Sequence, residues 1–332
     1  MADHRDTLLL PFEKGLLPLP ASKGKWSLFN GDVLPTGEQA WAEILNCEQG
    51  FRSVYLDLEQ AGFNVEPSFQ NPKNQDGTMV LANRSRRVNE ENLARAWNAT
   101  KQGGVVLFAG NKTAGVQPLR KWAGKRVELA GSLSKNHAVV FWLVRNGDEW
   151  PLEENEKMAE GYHVAPGMFS ASGPDKGSRL LAEYFATMPY GGVRGRVADF
   201  GAGWGYLSAE LLKVAENIET LELYEADYAS LEAAKMNVGE RAEYYWSDLT
   251  REAPRGPYNW IIMNPPFHTG RAAEPRLGNI FIEAAAKALP AGGHLLLVAN
   301  TNLPYETTLT GLFKKVERKA QANGFKIIEA IR

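Results

Sequence analysis

The sequence predicts two α/β domains in tandem, each a doubly wound, Rossmann-like fold. Three observations carry that expectation. The chain has 332 residues, about twice a typical domain length. Short apolar runs alternate with helix-like stretches along nearly all of it, the pattern of a parallel sheet with crossover helices. One conspicuously polar stretch interrupts the alternation. Asn146 to Gly161 holds five glutamates, one aspartate, one proline and two glycines, which reads as a linker. The division is therefore a first domain over 1–150, a linker over 151–161 and a second domain over 162–332.

In the first half the expected strands are Trp26–Phe29, Val54–Leu56, Val80–Ala82, Val105–Ala109 and Val139–Val144. Glu38–Leu45 and Glu90–Lys101 read as helices between them. In the second half the alternation is cleaner. Ser178–Thr187 reads as a helix, Arg196–Phe200 as a strand, Leu207–Glu216 as a helix, Leu221–Glu225 as a strand and Ser230–Asn237 as a helix. Trp260–Met263 is a strand, Ile280–Leu289 a helix and Gly293–Ala299 a strand. A helix over Leu312–Asn323 and a strand over Lys326–Ala330 complete the series. Two such halves raise the possibility of an old internal duplication.

Composition bounds the function. No run reaches the roughly 18 consecutive apolar residues of a membrane span. The apolar run Leu8–Leu10 follows Asp3 and Asp6 and stops at Pro11, unlike a secretory signal. Cys47 is the only cysteine, so neither an intrachain disulfide nor a cysteine metal site is expected. These features fit a reducing cytoplasm. The net charge of −2 gives no global sign of a nucleic-acid partner. Arg84, Arg86 and Arg87 form a local basic cluster, with Lys112, Arg120, Lys121, Lys125 and Arg126 scattered beyond it. A solvated face and a phosphate-contacting surface both remain open for them.

Val197 to Tyr206 is a strand running into a glycine turn that opens a helix. Glycines there let backbone approach a ligand and present amide N–H groups at a helix start. A dinucleotide site wants G-x-G-x-x-G. Here the third glycine comes early, giving Gly201, Gly203 and Gly205 after the acidic Asp199. That variant suits a cofactor without a pyrophosphate but with a methionine amino group for a nearby carboxylate, S-adenosylmethionine. The next strand ends at Glu225, where a carboxylate can accept both ribose hydroxyls. Asp227 is the fallback. Asp248, at the following strand end, is placed to meet the adenine amine.

The apolar strand Trp260–Met263 runs into Asn264, Pro265, Pro266, Phe267 and His268. Two prolines make a rigid loop at the sheet edge where ligands bind. The residue types fit methylation of an exocyclic base amine, whose lone pair is delocalised into the ring. If Asn264 Oδ1 and the Pro265 carbonyl each accept one N–H, the nitrogen pyramidalises and becomes a nucleophile. Phe267 supplies a stacking face for an unpaired or flipped base. His268 is equally a structural hydrogen-bonder or a substrate contact. The chemistry calls for no metal.

Together these residues resemble the bacterial RsmC/RlmG family, class I ribosomal RNA guanine-N2 methyltransferases. The similar segments are Pro166 to Ser170 with Asp175 to Ser178, the Asp199–Gly205 loop, Asn264 to Gly270, and Gly292 to Asn300 followed by Leu303-Pro304-Tyr305. Lys135-x-His137 is similar to the family's N-terminal half. The resemblance implies two class I methyltransferase domains, the first degenerate and without cofactor, aiding the fold of the second or holding RNA. It also implies that Phe169, Ser170, Gly177 and Ser178 line the cofactor pocket, with ribosomal RNA or a ribosomal subunit as partner. Two features depart from the pattern. Glu225 stands where aspartate is commoner, and the bulky Trp204 is placed to narrow the pocket.

The expected activity is methyl transfer from S-adenosylmethionine to guanine N2 of ribosomal RNA, in the small subunit by preference. Adenine N6 in nucleic acid, or a protein glutamine, is the competing acceptor. A non-catalytic RNA-binding or assembly role is the reading from another class.

Overall fold

The computed structural model describes residues 3–35, 40–152, 157–188, 192–266 and 275–332. It divides into two compact units, Met1–Asn155 and Glu156–Arg332. No helix among the described residues is long and apolar enough to cross a membrane.

The first unit runs α1 (His4–Glu13), β1 (Trp26–Phe29), α2 (Trp41–Ile44), β2 (Leu45–Glu48), α3 (Arg52–Gln60), β3 (Asn64–Glu66) and β4 (Gln75–Leu81). It continues with α4 (Arg86–Ala99), β5 (Thr100–Asn111), α5 (Val116–Ala123), β6 (Gly131–Lys135) and β7 (Ala138–Val144). Its seven-stranded sheet has the order β3-β2-β1-β4-β5-β7-β6. β3 through β5 pair in parallel, while β7 runs antiparallel to both β5 and β6.

The second unit begins with a small antiparallel hairpin, β8 (Lys157–Ala159) and β9 (Tyr162–Val164). It continues with α6 (Lys176–Thr187), β10 (Gly195–Phe200), α7 (Tyr206–Val214), β11 (Ile218–Glu225), α8 (Tyr228–Val238), β12 (Glu243–Trp246) and β13 (Trp260–Met263). The last elements are α9 (Pro275–Ala288), β14 (His294–Asn300), α10 (Glu306–Leu312), β15 (Lys315–Ala322) and β16 (Phe325–Ile331). The sheet order is β12-β11-β10-β13-β14-β16-β15, with β16 antiparallel to β14 and β15.

Taken position by position, the two sheets wind identically: third, second, first, fourth, fifth, seventh, sixth. The fold is the two tandem Rossmann-like domains that the alternation of strands and helices predicts, and the shared winding supports an ancient duplication. In each sheet the winding reverses between the first and fourth strands. The crevice beyond the carboxyl ends of those strands is where such folds bind ligands.

Both faces of the second sheet are covered at its centre, which explains why β13 and β14 read as unbroken apolar runs. Ile261, Met263, Leu295 and Leu297 point to one side and pack with Ile282 and Ala285 of α9. Trp260, Ile262, Leu296 and Val298 point to the other, against Leu181, Leu207, Leu211 and Ala234. The period of two along each strand assigns the faces.

Several expected elements differ. Leu312–Asn323 is not a helix: Leu312 ends α10, and Lys315–Ala322 forms β15, hairpinned to β16. Its lysines, glutamate, arginine and alanines are good helix formers. The hairpin overrides them through Asn323 and Gly324, at φ 52° and 83°, the two positive-φ residues of a tight turn. β15 ends the strand order and carries charge as exposed edges do, with Glu317 paired to Lys315 and Lys319 at 2.7 Å each. Val54–Leu56 lies inside α3, since a short apolar run fits helix or strand alike. The helix expected over Glu38–Leu45 is the single turn α2 where it is described, and Leu45 already opens β2.

Candidate active site

β10 delivers its chain into a turn whose three glycines play different parts. All have positive φ, 74° at Gly201, 56° at Gly203 and 84° at Gly205. A Cβ at Gly205 would stand 2.9 Å from Val238 Cγ2 and 3.1 Å from Ala234 Cα, so this glycine lets α7 pack on α8. A Cβ at Gly203 would meet nothing within 4 Å. That backbone is open to a ligand. A Cβ at Gly201 would lie 3.8 Å from Pro266 Cδ, so the glycine turn and the proline loop after β13 meet there.

Carboxylates gather at the same edge. Glu225, the last residue of β11, accepts the Gly203 N–H through Oε2 and the Asp227 N–H through Oε1, each at 2.8 Å. Burial pushes its carboxyl up to about 7, with the Asp227 charge adding and the backbone donors opposing. Asp199 is wholly buried. Its Oδ2 accepts the Ser208 hydroxyl at 2.7 Å, while its buried Oδ1 has no partner among the described residues. Burial pushes this carboxyl up to about 7 too, aided by the Glu225 charge. An unpaired buried oxygen is costly, and two carboxyls poised near 7 are suited to receive a cation, which would favour their ionised forms.

Asp227 and Asp248 have visible local duties. Asp227 caps α8, its Oδ2 accepting the Ser230 N–H at 3.2 Å and the Ser230 hydroxyl at 2.5 Å. Burial raises its carboxyl above the ordinary value. Asp248 follows β12 and closes its own turn, Oδ1 accepting from Thr250 N and Oγ1 at 2.9 and 2.7 Å.

Asn264 leaves β13 beside these groups. Its Nδ2 donates to Ser178 Oγ at 2.9 Å and to the Asp175 carboxylate at 3.2 and 3.3 Å. Among the described residues its Oδ1 accepts no hydrogen bond. Asp175 is itself the N-cap of α6, with Oδ1 accepting from Gly177 N and Ser178 N. Gly177 packs under Phe325, whose ring a Cβ would approach to 2.8 Å. Pro265 is buried and Pro266 half-buried. Phe267 and His268 lie outside the described residues.

The loop before α6 comes to the same edge. Ser170 sits at φ 53°, and the Phe169 side chain is 59% exposed. Trp204 does not narrow the crevice. Its indole is buried against Val164 and Ala233, and its Nε1 donates to the Phe169 carbonyl at 3.0 Å, tying that loop to the glycine turn. Sequence reading missed three such supports: Asp175 on Asn264, Ser208 on Asp199, and Asn237, which binds both Trp204 O and the β9 backbone. Only Asp175 left a signal, as an N-cap residue ahead of a helix. A cavity of about 720 Å³ lined by Tyr184, Trp260, His294 and Lys319 opens at the opposite, amino end of β13 and β14. Among the described residues no group of three or more His, Cys, Asp or Glu could hold a metal ion.

Comparison with known proteins agrees with this geometry. The methyltransferase small domain family matches residues 161–329. A Shewanella halifaxensis protein named ribosomal RNA small subunit methyltransferase C is 35% identical over 329 residues, covering 92% of this chain and 93% of its own length. A Shewanella loihica protein of the same name is 35% identical over 164 residues, 48% of this chain and 46% of that protein. Among solved structures, the Thermus thermophilus 16S rRNA N2 G1207 methyltransferase (RsmC), in complex with AdoMet and guanosine, superposes with a TM-score of 0.82. It is 23% identical, and the match covers 99% of this chain and 91% of that one. This likeness shows the fold of both units. The chain belongs to the methyltransferase small domain family and is an S-adenosylmethionine-dependent methyltransferase.

Proposed function

We propose that the chain methylates the exocyclic N2 amine of a guanine in small-subunit ribosomal RNA, with Asn264 as the acceptor that activates the amine. One observation carries this reading. The Asn264 amide spends its N–H side on Asp175 and Ser178, which leaves Oδ1 as an acceptor at the strand end where the glycine turn and proline loop meet. The names of the relatives support ribosomal RNA as the acceptor class, and the guanosine in the T. thermophilus complex supports the base.

The site's donor set fits the cofactor. The unpartnered Asp199 Oδ1 suits its ammonium group, and Glu225 suits its ribose. Both Glu225 oxygens already take one backbone N–H, and each keeps a lone pair for a hydroxyl. Gly203 leaves room for close backbone approach. Asp248 would meet the adenine amine, with Asp227 as the second ribose candidate. Phe169, Ser170, Gly177 and Ser178 would close the remaining side. When bound, the cofactor supplies an electrophilic methyl group on a sulfonium.

The protein's own part is positional. Asn264 Oδ1 and the Pro265 carbonyl each accept a hydrogen bond from one N–H of the amine, drawing its lone pair out of conjugation with the ring. Pro265 and Pro266 hold those acceptors still. Phe267 would stack on the base. The methylated nitrogen is acidic and sheds its proton without a dedicated base.

On this reading residues 162–332 are the catalytic domain, 151–161 a linker, and 1–150 a degenerate domain that binds no cofactor. The enzyme would work in the cytoplasm on RNA or an assembled subunit. Nucleoside analysis of small-subunit RNA, before and after incubation with enzyme and labelled cofactor, is the test. N2-methylguanosine is the expected product. N6-methyladenosine would move the acceptor to adenine, and label on protein glutamine would remove RNA altogether.

A further inference from the structure

We infer that Asp175, seconded by Ser178, is a positioning residue that decides which end of the Asn264 amide faces the substrate. The inference rests on the reading of Asn264 as the amine acceptor.

A primary amide has two nearly isosteric ends of opposite character, N–H₂ as donor and C=O as acceptor. Rotation by half a turn about the last side-chain bond exchanges them. For activating an amine only one orientation works. With Oδ1 forward the amine's proton is accepted, and with Nδ2 forward two donors confront each other. Nothing within Asn264 itself prefers the working orientation. The preference has to come from its neighbours.

The structure supplies two. Asp175 accepts Nδ2 at 3.2 and 3.3 Å and Ser178 Oγ accepts it at 2.9 Å, so both amide protons have acceptors. An ionised carboxylate only accepts. Turning Oδ1 toward it would set oxygen against oxygen and strand both protons. Asp175 is in turn immobilised, because its Oδ1 also receives Gly177 N at 2.9 Å and Ser178 N at 3.3 Å at the start of α6. The amide orientation is therefore fixed by a helix cap and not by the loop that carries Asn264. The arrangement is a preorganised acceptor, which costs no rearrangement when the amine arrives.

Asp175→Asn tests this, because asparagine caps helices as well as aspartate does and keeps the volume. Its carbonyl still takes the Gly177 and Ser178 amides, which turns its N–H₂ toward residue 264 and invites the Asn264 amide to flip. The expected result is a kcat lower by about 10–100-fold, with KM and cofactor Kd changed by less than about twofold. Methyl transfer is followed on small ribosomal subunits from cells in which the gene is deleted. A second readout needs no turnover. The Asn264 side-chain ¹⁵N–¹H₂ resonances, assigned by their absence in Asn264→Ala, should exchange slowly with water in the wild type and shift in Asp175→Asn. Single turnovers at enzyme excess complete a double-mutant cycle, in which Asp175→Asn should have no further effect on Asn264→Ala. An unchanged kcat, or an equal loss on both backgrounds, overturns the positioning role while leaving Asn264 its place. A near-normal Asn264→Ala rate overturns the reading beneath it as well.

Discussion

The two units wind their sheets in the same order, yet their switch points are filled in opposite ways. In the second unit, β11 ends in Glu225, which accepts backbone N–H groups from Gly203 and Asp227. In the first, the corresponding strand β2 ends in Glu48, which is clamped by the two terminal Arg95 guanidinium nitrogens at 2.8 and 2.5 Å and by Phe69 N at 2.6 Å. The Arg95 guanidinium lies 5.3 Å from the centre of the Phe29 ring, at the very end of β1. After β13, Asn264 Oδ1 accepts no hydrogen bond from the described residues. After β4, Asn83 gives its carbonyl to Ser85 N at 2.9 Å. If Glu225 holds the cofactor as proposed, a strand-end carboxylate is not enough by itself to make such a site. What matters is whether the fold has already spent it.

The largest effect expected from breaking this contrast is at Asn264. Asn264→Ala removes the acceptor without touching the glycine turn or Glu225. kcat should fall about 10²–10³-fold, while calorimetric affinity for S-adenosylmethionine stays within about twofold. A rate near that of the wild type would discard the mechanism. Phe267→Ala should instead raise KM, since stacking holds the base before and during transfer alike.

Next comes the pair of strand-end glutamates. Glu225→Ala should weaken cofactor binding by roughly 1–3 kcal/mol, the cost of unpaired hydroxyls. Gly203→Val should do the same by filling the open backbone. Glu48→Gln should leave affinity and a stoichiometry of one cofactor per chain untouched. It should lower the melting temperature, because Arg95 loses its ionic partner in a largely buried place. Two cofactors per chain in the calorimeter would mean that the first unit is not degenerate.

A smaller effect follows from the carboxyls near 7. Asp199 must be ionised to hold the ammonium group as proposed, so affinity for S-adenosylmethionine should weaken as pH falls through about 7. The loss is up to about tenfold per pH unit below that point. Stability of the cofactor-free protein should move the other way. Asp199 and Glu225 bind protons more tightly folded than unfolded, so their contribution is present below the ordinary carboxylate range and is lost as pH rises through about 7. A cofactor affinity that is flat between pH 5.5 and 8.5, on the order of 1.5 units either side of 7, would detach Asp199 from binding.

What could be read beforehand divides along sequence distance. Trp260–Met263 with its proline loop, and Arg196–Phe200 with its glycine turn, are local patterns, and both stand where the sequence places them. The hairpin of β15 and β16 was legible in Asn323-Gly324, but helix-forming composition outweighed it. The hydrogen bond between Asp175 and Asn264 spans 89 residues, and Ser208 reaches Asp199 across a helix turn that the glycines must first create. Such supports exist only once the sheet is wound. The same is true of Arg95, an unremarkable helix arginine until its helix lies over Glu48.

The smallest effect concerns Arg84, Arg86 and Arg87, and it asks what the first unit does if it holds no cofactor. Arg86 and Arg87 occupy the first turn of α4 with no acidic residue there, where the helix dipole disfavours cations. Arg86 gains an ion pair with Glu90 at 2.8 Å, worth only a few tenths of a kcal/mol at such a surface. Helix stability is therefore a poor reason for Arg86, whereas a phosphate backbone is a sufficient reason for the cluster. Replacing Arg86 alone by glutamine should leave the melting temperature nearly unchanged, and replacing all three tests the phosphate reading. The triple replacement should weaken binding of small-subunit RNA and flatten its dependence on salt, by about 0.7–0.9 in log–log slope for each phosphate no longer neutralised. A lowered melting temperature with an unchanged salt slope would return the cluster to the role of a solvated, structural face.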